Sequence, residues 1–175
     1  MRLADAIFER LKQEVDCVFY LPGGGSSHLV DALGQSGLNA VCALHEQGAG
    51  YMAVAYAQVR GFGVVLTTSG PGATNAVTPC LAAWLDSVPV LFISGQVASK
   101  QLAMPGQRSR GTQEGPTVKV VEPITKGAYL ATTAEHALYD LEELIALAKT
   151  GRPGPVWLDI CQDVQAMEVE ECTVQ

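Results

Sequence analysis

The clearest candidate for chemistry is an acid among small residues. In Leu44-His-Glu-Gln-Gly-Ala-Gly, Glu46 follows an apolar run, and its small neighbours would let a ligand or a second polypeptide approach the carboxyl. Taken alone, Glu46 also suits a purely structural place, because an acid in the first turn of a helix complements the positive end of the dipole. A second segment, Thr67-Thr-Ser-Gly-Pro-Gly-Ala-Thr-Asn, is a glycine-rich turn entering a helix. Its glycines allow close backbone approach, and the helix start offers free N–H groups. Such a turn could hold a phosphate, but it has neither the spacing nor the lysine of G-x-x-x-x-G-K-[ST]. A third segment, Pro22-Gly-Gly-Gly-Ser-Ser-His, is weaker and does not fit G-x-G-x-x-G.

The surrounding pattern says how these segments are held. Leu3, Ala6, Ile7 and Leu11 fall at helical spacing and predict a helix over about the first fourteen residues. Cys17 to Leu21 reads as a strand, and Ser26 or Ser27 could cap a helix to about Gln35. Ala40 to Leu44 reads as a second buried strand, followed by a helix from about Glu46 to Val59 whose small residues suggest close packing on both sides. Gly63 to Thr68 is a third strand. A helix from about Ala73 to Leu85 follows, with Pro79 as a possible kink. Val88 to Ser94 is a fourth strand, and between Gly95 and Pro116 the pattern lapses into a long loop. Tyr129 to Ala131, a helical stripe from Ala137 to Ala148, and Val156 to Ile160 complete the chain.

Apolar strands alternating with helices predict an α/β fold of three layers, a mainly parallel sheet with helices on both faces. In such sheets ligands gather at the carboxyl ends of the strands. The loops Pro22 to Ser26, His45 to Gln47 and Ser69 to Asn75 all lie at those ends, so one shared crevice is expected.

Composition narrows the classes. The 175 residues suit one domain, with 48% hydrophobic and 17% charged residues. The net charge is -7 and the basic residues are scattered, which argues against a nucleic-acid surface. No stretch approaches the apolar length of a membrane span, and the N-terminus lacks the apolar core of a secretory signal. Cys17, Cys42, Cys80, Cys161 and Cys172 form no CxxC pair. Neither a disulfide framework nor a metal site is suggested, and a reducing cytoplasm is the natural location.

Taken together, several segments carry a family resemblance: Cys17-Val-Phe-Tyr-Leu-Pro-Gly-Gly, His45-Glu-Gln-Gly-Ala, Thr68-Ser-Gly-Pro-Gly-Ala-Thr-Asn, Asp86-Ser-Val-Pro-Val, Ser94-Gly-Gln-Val, Pro123-Ile-Thr-Lys and Arg152-Pro-Gly-Pro-Val. In kind, order and spacing they resemble the N-terminal pyrimidine-binding domain of acetolactate-synthase-like thiamine-diphosphate-dependent enzymes. The resemblance covers nearly all of residues 1–175, read as one pyrimidine-binding domain of the thiamine-diphosphate-binding fold.

The resemblance implies a mechanism. The acid at the position of Glu46 hydrogen-bonds N1′ of the cofactor's aminopyrimidine, and this lets the ring take the proton from the thiazolium C2. The activated cofactor then attacks a small 2-keto acid, for decarboxylation or carboligation. Pro22 and Gly23 match the loop beside the pyrimidine, Gly72 the close-approach glycine, and Asn75 a residue that contacts the cofactor, although Asn75 serves equally as a helix-start hydrogen bond. Thr68 and Gln113 match positions that face substrate. His45 is expected to support Glu46, whereas His28 and His136 read as helix-surface residues and Trp84 and Trp157 as core or interface. Family members hold the diphosphate through Mg²⁺ on a second domain marked by Gly-Asp-Gly, and no Gly-Asp occurs here. The expected arrangement is therefore an excised domain or one subunit of a split enzyme, paired with a diphosphate-binding domain or subunit. A homodimer or heteromer through the helices at Glu46 and Ala73 is implied.

One stretch departs from the pattern. Ala103-Met-Pro-Gly-Gln-Arg-Ser-Arg-Gly replaces the acidic and aromatic run that precedes Gln-Glu in acetolactate synthases, and it looks more like members acting on other keto acids or in sugar biosynthesis. Two other readings stand beside this one. A non-catalytic regulatory or assembly module of the same fold would have no need of Glu46. A nucleotide-binding α/β protein would need a fingerprint that is absent.

Overall fold

In the computed structural model, which describes residues 1–170, six strands form one sheet in the order β2-β1-β3-β4-β6-β5. They are β1 (Cys17–Tyr20), β2 (Asn39–Cys42), β3 (Gly63–Thr67), β4 (Val90–Gln96), β5 (Ala128–Ala131) and β6 (Val156–Cys161). Every neighbouring pair is parallel. The helices are α1 (Leu3–Leu11), α2 (Ser27–Gln35), α3 (Glu46–Arg60), α4 (Pro71–Asn75), α5 (Val77–Asp86), α6 (Thr117–Val121), α7 (Ala134–Lys149) and α8 (Gln162–Gln165).

Two apolar clusters make the three layers. One joins α1, α2 and α7 to Val64, Leu66, Leu91, Ile93, Leu158 and Ile160. The other joins α3, α5 and α6 to Val65, Val90, Phe92 and Trp157. The alternation along β3, β4 and β6 follows from the period of two in a strand, and burial on both faces is why these runs read as apolar throughout. Trp157 is fully buried, stacked on Phe92 with ring centroids 4.9 Å apart, and its indole N–H donates to Ser94 Oγ at 2.8 Å.

The sheet order reverses beside β1. From β1 the chain steps outward to β2, then returns past β1 to build β3 and β4. Such a switch point opens a crevice at the carboxyl ends of the strands. The loops after β1 and β3 therefore face each other across adjacent strands.

Four expectations are corrected. The second strand is not buried: all four residues of β2 are exposed, as is Leu44 beyond it, because β2 is an edge with no outer neighbour among the described residues. The helix over 73–85 is two helices, broken at Ala76 (φ -87°, ψ 0°) rather than kinked at Pro79. Pro79 sits in the first turn of α5, where a missing N–H breaks no helical bond. The fourth strand begins at Val90, since Ser87 adopts a left-handed conformation and Pro89 follows. The long loop expected from Gly95 begins at Val97, because Gly95 and Gln96 still pair within β4; from there to Pro116 it holds one 3-10 turn, Ser99–Gln101. Among the described residues Cys17, Cys42, Cys80 and Cys161 are free thiols; Cys172 lies outside them. No described helix is long and apolar enough to cross a membrane.

Candidate functional site

Glu46 opens α3. His45 caps that helix: its backbone is extended, and its Nδ1 accepts the Gln47 backbone N–H at 3.1 Å. The cap fixes where the first turn starts and hence where the Glu46 carboxyl points. The inner face of α3 is built from Ala49, Gly50, Ala53 and Ala57, which bring the helix close to the sheet. Its other side, with Gly48, Tyr51, Ala55 and Val59, is exposed, so the close packing expected on both sides occurs on one.

The carboxyl is buried, 8% exposed, at the carboxyl edge of the sheet. Its Oε2 accepts from Asn75 Nδ2 at 3.0 Å. Its Oε1 faces Gly72, where a Cβ would stand 3.1 Å from Oε1 and 2.6 Å from Thr68 Cγ2. None of the ion pairs among the described residues includes Glu46. A buried carboxylate with one side-chain donor retains unused acceptor capacity. The dipole of α3 accounts for an acid at this position, but not for aiming it at a backbone with no side chain.

The three expected loops do converge. The Gly25 N–H donates to Thr68 Oγ1 at 3.1 Å, and Gly23 lies against the Thr68 side chain. Thr68 in turn touches Gly72, which touches Glu46. The structure thus links Gly23, Thr68, Gly72, Asn75 and Glu46 in one chain of contacts. Asn75 meets the Glu46 carboxylate rather than making a helix-start hydrogen bond. Pro22 is exposed and begins the Gly23–Ser26 loop. Gln113 is held in a left-handed conformation (φ 60°) with its carbonyl oxygen against Gly70, and it borders a cleft of 340 Å³ with Gly24, Gly25 and Ser69. His28 is half-buried on α2 and His136 is exposed on α7.

Other residues that shape the crevice are not evident from the sequence. Gln162 Nε2 donates to the Gly24 carbonyl and Gln165 Nε2 to the Gly25 carbonyl, each at 2.8 Å, so α8 braces the first loop from behind. Their only signal is a place just past the carboxyl end of a strand. Gly95 is the second case. A Cβ there would stand 2.0 Å from the Gly25 carbonyl oxygen and 2.8 Å from the Ser26 nitrogen, so the loop backbone rests directly on β4.

One substitution probes this arrangement. Gly72→Ala would press a methyl onto Thr68 and Glu46 Oε1 and move the carboxyl. If the crevice holds a flat ring there, ligand affinity should fall about tenfold, the size of a lost hydrogen bond, with the thermal midpoint shifting by only a few degrees. Titration calorimetry and thermal unfolding measure the two.

An all-parallel α/β sheet that sets a buried helix-start carboxylate over glycine turns at a switch point defines a cofactor-binding domain. Residues 1–119 match the family model of the thiamine pyrophosphate enzyme, N-terminal TPP binding domain, and the chain belongs to that family. It is 44% identical over 170 residues to the acetolactate synthase large subunit of Corynebacterium glutamicum, covering 95% of this chain and 26% of that one. It is 42% identical over 168 residues to the acetolactate synthase large subunit of Lactococcus lactis subsp. lactis, covering 94% and 28%. With the mitochondrial acetolactate synthase catalytic subunit of Saccharomyces cerevisiae it shares 40% identity over 157 residues, covering 89% and 22%. The chain spans about a quarter of the length of these curated relatives.

Proposed function

We propose that this chain binds the aminopyrimidine ring of thiamine diphosphate and that Glu46 holds the proton at the ring's N1′, within an enzyme that cleaves or forms carbon–carbon bonds of 2-keto acids. The observation that carries this reading is the Glu46 carboxylate, buried at the start of α3 and facing Gly72 with Oε1 while Asn75 occupies Oε2. Asn75 steadies one oxygen and leaves the other to meet a ring nitrogen. The bare backbone at Gly72 and the Pro22–Gly23 loop admit a flat heterocycle where a side chain would exclude it. When bound, the cofactor supplies the electron sink for breaking a bond next to a carbonyl; the protein orients it and tunes its basicity. Thr68 and Gln113 lie on the substrate side of the same loops.

The diphosphate and its Mg²⁺ are assigned to a second domain or subunit, and the partner face to β2, α3 and α5. That face presents Val41, Leu44, Tyr51, Val59, Leu81, Trp84 and Leu85 to solvent, a set of exposed apolar groups of the kind that marks association surfaces. Trp84 belongs to this surface and Trp157 to the core. The family relationship supports a thiamine-diphosphate-dependent activity. The relatives are named acetolactate synthases, whereas the loop from Ala103 to Gly111 favours a different keto acid here.

Calorimetric titration of thiamine diphosphate with Mg²⁺ tests the reading. Binding should be weak with this chain alone and strong when a diphosphate-binding partner chain is added. No binding to the pair would overturn it.

A further inference from the structure

The loop segment from Arg110 to Gln113 walls one side of a cleft at the carboxyl edge of the sheet. That cleft is bounded by Gly24 and Gly25 after β1, Ser69 after β3, Gln162 on α8, and Arg110 and Gln113 on the loop. Its volume, 340 Å³, falls in the range of complete small-ligand pockets and exceeds what a pyruvate-sized acid fills. Among the residues that line it, Arg110 alone is charged.

Among the described residues no ion pair neutralises that charge. The nearest acid in sequence, Glu114, is committed elsewhere. Its Oε1 accepts the Ala103 N–H at 2.6 Å, and its Oε2 accepts the N–H groups of Arg110 at 2.6 Å and Gly111 at 3.0 Å. Burial pushes the Glu114 carboxyl up, but those backbone amides, with a smaller pull from the Arg110 charge, outweigh it and hold the group below its ordinary range. Glu114 therefore spends its charge pinning the loop backbone and fixes where Arg110 emerges. Guanidinium groups recognise carboxylates through paired N–H donors, and a positioned one discriminates by charge.

We propose that Arg110 is a specificity-determining residue that reads a second carboxylate, at the far end of the 2-keto acid the enzyme accepts. The inference rests on the function proposed above and names the substrate class of that site. Gln113 serves the reacting end of the substrate and Arg110 the distal end, with Glu114 as the positioning residue for both. A preference for a dicarboxylic keto acid follows.

The test compares 2-oxoglutarate with 2-oxovalerate, acids of equal carbon number that differ in the terminal carboxylate, in the complete enzyme bearing this chain with its cofactor. The enzyme should favour 2-oxoglutarate in kcat/KM. Arg110→Ala should reduce that preference about tenfold, the worth of a charge-assisted hydrogen bond, with the loss in KM, and Arg110→Lys should restore part of it. If Arg110→Ala lowers both substrates equally, or the unsubstituted enzyme takes 2-oxovalerate at least as well, the inference is overturned and the proposed function stands. Inactivity on every 2-keto acid would overturn both.

Discussion

Replacing Glu46 by Gln should slow exchange of the cofactor's C2 proton by about 10²- to 10⁴-fold, the usual contribution of a positioned proton-transfer group. The substitution keeps the shape, the burial and the Asn75 contact of a residue that is 8% exposed, so the cofactor should still bind within about tenfold of its original affinity. Deuterium exchange at C2, followed by proton NMR in the complete enzyme, separates the two effects. Exchange at the original rate with retained binding would remove Glu46 from its assigned role. Asn75→Ala should act more mildly on the same readout, since it frees Oε2 without removing the acid.

The second large effect concerns stability and lies away from the crevice. Asp159 on β6 is 1% exposed, on the same face of the sheet as Trp157. Burial pushes its carboxyl up to about 7, and hydrogen bonds from Ser94 Oγ at 2.6 Å and Gln96 Nε2 at 2.9 Å only partly counter this. The sign follows from linkage. The folded chain holds this proton through a range where the unfolded chain, with a carboxyl near 4, has lost it, so stability falls as pH rises from about 4 to 7. A shift of this size corresponds to about 4 kcal/mol. Asp159→Asn removes the titration. Urea unfolding at pH 4.5 and pH 8 should show the variant gaining on the unsubstituted chain by an amount approaching that figure, after a constant offset for the altered hydrogen bonds. An unchanged difference between the two pH values would show that Asp159 does not titrate as described. Gln96 also donates to the Gly115 carbonyl at 2.9 Å, so the measurement bears on the loop carrying Gln113 as well.

The pattern in the sequence located most of the frame because its signals were long or doubled. Apolar runs buried on both faces at β3, β4 and β6 are hard to read otherwise, and the stripe from Ala137 to Ala148 spans about three helical turns. What stayed hidden was short or depended on distant partners. Thr117–Val121 and Gln162–Gln165 are too brief for a period to emerge. The apolar residues of β2 read as buried because a hydrophobic pattern reports a need for cover, not whether the same chain supplies it. At the site, glycine turns and the acid were visible as residue types, and parallel topology placed them on one edge. The hydrogen bond from Asn75 to Glu46 was not visible, because it joins the end of α4 to the start of α3, 29 positions apart. Nor was the grip of Glu114 on the loop that precedes it: its charge reads as a solvated surface acid until its three amide partners are seen.

The contact between Gly95 and the Gly25–Ser26 backbone has a consequence for how such a crevice can vary over generations. A Cβ at this position would stand 2.0 Å from the Gly25 carbonyl oxygen, so hydrogen fits there and a carbon does not. Every other amino acid begins with a carbon at that point, so no gradual series of replacements leads away from glycine. Any lineage that altered this residue would have to rebuild the neighbouring turn in the same step, and diversification is left to the outer rim, where Arg110 stands.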